Sequence, residues 1–129
     1  MSRHVAFLSR LFLVWSAFNA IIAVAVFAFA VAAASLALTS GSERPGTEVA
    51  AGITAATLTV LAMAALIWAA VHYICATGLR QQRAPARILG LVLGLFNLPL
   101  VPLGTMLGVY ALWVLLQEET RRLFEVPSV

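Results

Sequence analysis

The chain has no lysine, one cysteine and little charge of either sign. Only 10% of its 129 residues are charged, against about 25% in an average soluble domain. A soluble fold of this composition would have to enclose more apolar side chain than so short a chain can cover. The single cysteine, Cys75, excludes an internal disulfide. All eight basic side chains are arginine, and with abundant alanine this points to a GC-rich bacterial genome. The net charge of +3 is no nucleic-acid footprint. The arginines sit at the ends of apolar runs, and no basic patch alternates with exposed aromatics.

What is present is 63% hydrophobic residues, gathered into three uncharged runs at 11–42, 49–79 and 88–117. Each exceeds the roughly 20 apolar residues that cross a hydrocarbon core of about 30 Å. Arg3, Arg10 and the small residues from Ala32 to Ala37 imitate a secretory signal. A cleaved apolar segment is about 7–15 residues long, however. The run from Leu11 to Ser42 is longer, so a retained signal-anchor helix is expected.

The third run is interrupted by Asn97-Leu98-Pro99-Leu100-Val101-Pro102-Leu103-Gly104. Asn97, Pro99 and Pro102 predict a helix break there. The expected fold is an all-α integral membrane four-helix bundle, made of two helical hairpins in a single transmembrane domain. Its helices fall at about 11–38, 49–77, 86–98 and 103–122, with the third and fourth short or partly re-entrant. Thr39–Glu48 forms a polar loop, with Thr47 or Glu48 capping the second helix. Gly78 sits where a helix-ending glycine is expected, and Pro85 suits the start of the third helix. Four spans place seven of the eight arginines on one side, leaving only Arg44 on the other. The positive-inside rule makes that side cytoplasmic, with both termini in the cytoplasm and the chain resident in a bacterial inner membrane.

Gly90 and Gly94, and Gly104 and Gly108, are GxxxG pairs that allow close helix approach in lipid. A turn at 97–103 sets Gly94 opposite the Gly104–Gly108 stretch and Gly90 near Gly108 and Ala111. The glycines then glue the third helix to the fourth, or form a contact between copies. Asn19, His72 and Tyr110 lie about 10–14 Å from their cytoplasmic boundaries at 1.5 Å per residue. They are candidates for one polar layer in the membrane. Its histidine either relays a proton or binds a ligand, or stays neutral and bonds Asn19 or Tyr110 as interhelical glue. His72 and Cys75 share a helical face, but structural zinc takes four ligands and His4 is the only other candidate. No metal or cofactor is expected.

No acid lies within the apolar runs. This argues against an ion-coupled transporter or an intramembrane hydrolase. Glu118 and Glu119 are expected to pair with Arg121 and Arg122. Ser16, Thr54, Thr57, Thr59 and Thr105 are expected to bond carbonyls of their own helices. Trp15 and Trp113 read as interfacial anchors.

Ala86-Arg87-Ile88-Leu89-Gly90 and the later stretch Pro102–Leu116 carry a pattern of their own. Pro102, Gly104, Thr105, Leu107, Gly108, Tyr110, Leu112 and Trp113 spell P-x-G-T-x-L-G-x-Y-x-L-W. Over about residues 80–124 the chain resembles a loose group of uncharacterised small bacterial multi-pass membrane proteins. The resemblance implies a hairpin at 97–103 and inner-membrane residence, and no activity. The leading expectation is a non-enzymatic accessory or assembly component, with the bilayer, a larger membrane complex or a second copy as partners. The alternative is a small homo-oligomeric channel or transporter using Asn19, His72 and Tyr110. A His72-dependent membrane enzyme comes third.

Overall fold

The computed structural model describes residues 2–39, 46–100 and 102–125. Among these the chain is all helix: α1 (Ser2–Thr39), α2 (Thr47–Arg80), α3 (Ala84–Asn97), α4 (Leu103–Leu116) and α5 (Glu118–Glu125). Most of the polar loop after α1, including Arg44, lies outside the described residues. α1 and α2 are long and apolar enough to cross a membrane. α3 and α4 have 14 residues each, about 21 Å at 1.5 Å per residue, which falls short of a hydrocarbon core of about 30 Å.

The chain divides into two compact units. One comprises residues 17–69. In it Ala23, Ala30, Ala62 and Ala69 are buried, recurring seven residues apart on each helix. Small side chains at that spacing allow the close backbone approach that packs helices in lipid. The larger side chains of this unit point outward, and Ile21, Phe29, Val60 and Ile67 are each more than 60% exposed. Thr54, Thr57 and Thr59 donate to the carbonyls of Ala50, Ile53 and Ala55 one turn back, at 2.8–2.9 Å. The carbonyl that receives the Ala50 N–H at the start of α2 belongs to Gly46, in a left-handed conformation (φ +102°).

The other unit comprises residues 1–16 and 70–129. Val5, Leu8 and Phe12 bury one face of early α1. α3 and α4 run antiparallel. A Cβ on Gly94 would meet Ala111 Cβ at 3.2 Å and the Gly108 carbonyl at 3.3 Å, while one on Gly90 would meet Leu115 Cδ1 at 2.7 Å. A Cβ on Gly108 would collide with the Gly94 carbonyl itself. Gly94 and Gly108 therefore let two backbones touch. Gly90 faces Leu115, Cys75 and Leu79, not the expected Gly108 and Ala111, because the hairpin is registered about one turn further along α4. Gly104 serves the turn, where a Cβ would strike Leu100 Cβ and lie 2.7 Å from the Asn97 carbonyl.

Three helix ends in this unit explain its remaining departures from local expectation. α2 does not stop at Gly78; it continues to Arg80. Its end is closed by Arg83 N–H to the Gly78 carbonyl (3.0 Å) and Gln82 N–H to Leu79 (3.1 Å), with Gln82 left-handed at φ +53°. That is a Schellman closure with glutamine where glycine is usual. Gly78 is needed for proximity instead, since its Cβ would lie 2.6 Å from Ala86 Cβ. At the hairpin turn, the Thr105 hydroxyl donates to the Leu98 carbonyl (2.6 Å), bridging the turn and not its own helix. The expected fourth helix divides at Gln117, which is extended (φ −65°, ψ 138°). In a continuous helix Leu115 O would accept the N–H of Glu119. Here Arg87 Nε donates to it at 3.0 Å, capping α4 from the start of α3. α5 then begins with Glu118 and Glu119, whose charge complements its helix dipole.

Candidate functional site

The polar centre of the hairpin unit joins α2 to the C-terminus of α3. His72 and Asn97 are both fully buried. Asn97 Nδ2 lies 2.9 Å from His72 Nε2 and donates to the Leu93 carbonyl at 2.9 Å. The Leu93 carbonyl can only accept, and an amide nitrogen can only donate. Turning the amide over would set Oδ1 against the Leu93 carbonyl oxygen, so Nδ2 spends one hydrogen on each neighbour. His72 Nε2 is then an acceptor, and the imidazole is neutral with its proton on Nδ1. The Phe12 ring lies beside it, with centroids 5.7 Å apart. Asn97 Oδ1 is buried without a hydrogen-bond partner. Cys75, one turn beyond His72, points its thiol at the Ala86 carbonyl (3.8 Å).

A second polar contact lies on α4. The Tyr110 hydroxyl is 3.1 Å from His4 Nδ1. The Trp113 ring meets His4 edge-on with centroids 5.8 Å apart, and Phe7 meets Tyr110 likewise at 5.9 Å. Such pairs favour packing by about 0.5–1.5 kcal/mol beyond the area they bury.

The three residues of the expected polar layer thus have different placements. His72 meets Asn97, which sequence spacing marks only as a helix break. Tyr110 meets His4, an exposed residue. Asn19 belongs to the unit of residues 17–69, where it is half-buried. Pro99 lies in the exposed turn, and Pro102 occupies the position that caps α4. Arg87 is missed by a reading that treats arginines as topology signals alone. Its function here is to hold a helix-end carbonyl, and no local signal in the sequence marks it. The charges of α5 pair along their own helix, Arg121 with Glu125 at 2.6 Å and Arg122 with Glu118 at 3.8 Å. The Glu125 hydrogen bond raises the Arg121 pKa above its ordinary value.

Chemically, the buried centre offers a neutral imidazole held by an amide. Among the described residues no group of three or more His, Cys, Asp and Glu side chains is placed to hold a metal ion. The geometry is that of an interhelical tie. Comparisons with protein-family models, curated proteins and solved structures return no match.

Proposed function

We propose that the chain is a non-enzymatic, multi-pass membrane protein, an accessory or assembly component that packs its apolar helix faces against partner helices. The observation that carries this reading is how little of α1 and α2 is covered. Only 11% and 6% of their most apolar 18-residue windows are buried. A core helix of a soluble protein would be mostly covered, and side chains such as Phe29 and Ile67 call for lipid or another helix. The bond between His72 and Asn97 fits the same role, since side-chain hydrogen bonds between helices hold them together in lipid.

In this reading α1 and α2 cross a bacterial inner membrane, and the α3–α4 hairpin enters from the cytoplasmic side and returns to it. A re-entrant course suits helices of 14 residues, which at about 21 Å stop short of a hydrocarbon core of about 30 Å. The Arg87–Leu115 bond already holds the start of α3 beside the end of α4. Arg80, Arg83, Arg87, Arg121 and Arg122 then share the cytoplasmic side with both termini.

Two measurements test the proposal. The protein should stay in the membrane pellet after an alkaline carbonate wash, and release into the supernatant would overturn the membrane placement. Extracted from its native membrane in mild detergent, it should carry a partner subunit at fixed stoichiometry. Recovery as a lone monomer would overturn the assembly role.

A further inference from the structure

Early α1 and the last turns of α2, both within the hairpin unit, enclose a cleft of about 160 Å³. Ser9, Arg10, Leu13, Ala76, Thr77 and Arg80 line it. At about 30 Å³ per water in the liquid, the space matches roughly five heavy atoms, the size of a phosphate group. Two guanidinium groups therefore flank a hole with no carboxylate in its lining. Neither Arg10 nor Arg80 makes an ion pair or hydrogen bond among the described residues, whereas Arg121 and Arg122 are both paired. The hydroxyls of the lining are committed elsewhere. Ser9 donates to Ala6 O at 2.8 Å, and Thr77 contacts the carbonyls of Tyr73 (3.1 Å) and Ile74 (3.0 Å). Donors to an occupant thus come from the two arginines.

We propose that this cleft binds the phosphate of an anionic phospholipid headgroup. The inference rests on the membrane placement proposed above. Arginine forks match phosphate oxygens two at a time, and basic pockets between helices at the cytoplasmic face attract anionic headgroups. The lining also changes character in the right direction. The arginines give way to Leu13 and Ala76, one turn deeper along each apolar helix, where a lipid's glycerol and first methylenes would follow its headgroup. A free phosphate has no use for that wall. A zwitterionic lipid presents a choline cation beside its phosphate, which two unpaired arginines repel.

The test is native mass spectrometry of the full chain in detergent, with phosphatidylglycerol or phosphatidylcholine of identical acyl chains added. Wild type should retain phosphatidylglycerol preferentially. R10Q/R80Q should lower that preference by about thirtyfold, as expected for two arginines at an anionic surface. R121Q/R122Q should leave it unchanged. R10K/R80K preserves charge without the fork and should fall between; it also decides the matter if the glutamine variant loses its helical circular dichroism. Equal retention of both lipids by wild type would overturn the proposal, as would an equal loss in R121Q/R122Q, which would mean diffuse surface charge. Inorganic phosphate that binds alone and displaces the lipid would make this a soluble-anion site and overturn it too. Release of wild type by the carbonate wash is a separate failure, that of the membrane placement.

Discussion

Residues 17–69 bury alanine and little else, whereas residues 70–125 bury glycine, histidine, asparagine and threonine alongside their apolar core. The two units also differ in how many helix ends they contain. The described part of the first unit is mostly helix interior, residues 17–39 and 47–69, where backbone polar groups are satisfied inside the helices themselves. The second contains the end of α2, both ends of α3 and α4, and the start of α5 within about fifty residues. Each helix end leaves up to four backbone groups without an intrahelical partner. The polar devices stand at those ends: left-handed Gln82 after α2, Asn97 at the end of α3, Thr105 across the turn, and Arg87 on the last carbonyls of α4. These end-closing devices gather in one unit because most of the helix ends do.

The contrast can be broken at a single glycine. Gly108→Ala should destabilise the protein by about 1–3 kcal/mol, the usual cost of overpacking. The obstacle is the Gly94 carbonyl, backbone that cannot rotate aside. Gly52→Ala in the other unit meets nothing within 4 Å and should be neutral or stabilise by up to about 1 kcal/mol. Thermal unfolding in one detergent checks both, and equal losses would erase the difference between the units.

Asn97→Leu removes the donor to His72 Nε2 together with the bond to Leu93. We expect a loss of about 1 kcal/mol, typical of side-chain hydrogen bonds between membrane helices. Nitrogen NMR sharpens the point: His72 should show a single Nδ1–H tautomer in wild type and a mixture in the variant. A protonated or Nε2–H imidazole in wild type would contradict the assigned bond.

Arg87→Gln should cost about 0.5–1.5 kcal/mol through the freed Leu115 carbonyl. Its signature is faster amide exchange at the α4–α5 junction with α1 unaffected. The smallest effect has the opposite sign. Gln82→Gly relieves a left-handed side chain and should raise stability by about 0.5–1 kcal/mol. A lowered melting temperature would mean that the glutamine side chain itself supports the turn.

Composition and local chemistry reach a definite distance into this protein. Three uncharged runs and the scarcity of charge dictate long apolar helices, because backbone in an apolar setting must satisfy itself. Pro99 and Pro102 interrupt the third run because each removes a backbone donor, and a 14-residue helix lies on either side of the interruption. The rise per residue also orders side chains by depth, which is how His72 and Tyr110 come to share a level in the sequence. Depth does not choose azimuth or partner. His72 meets Asn97 from 25 residues away and His4 meets Tyr110 from 106. Arg87 caps a carbonyl 28 residues on. The one-turn shift of Gly90 onto Leu115 has the same origin: register in a hairpin is set by where two backbones can touch. Only the packed structure decides that, because it depends on both helices at once.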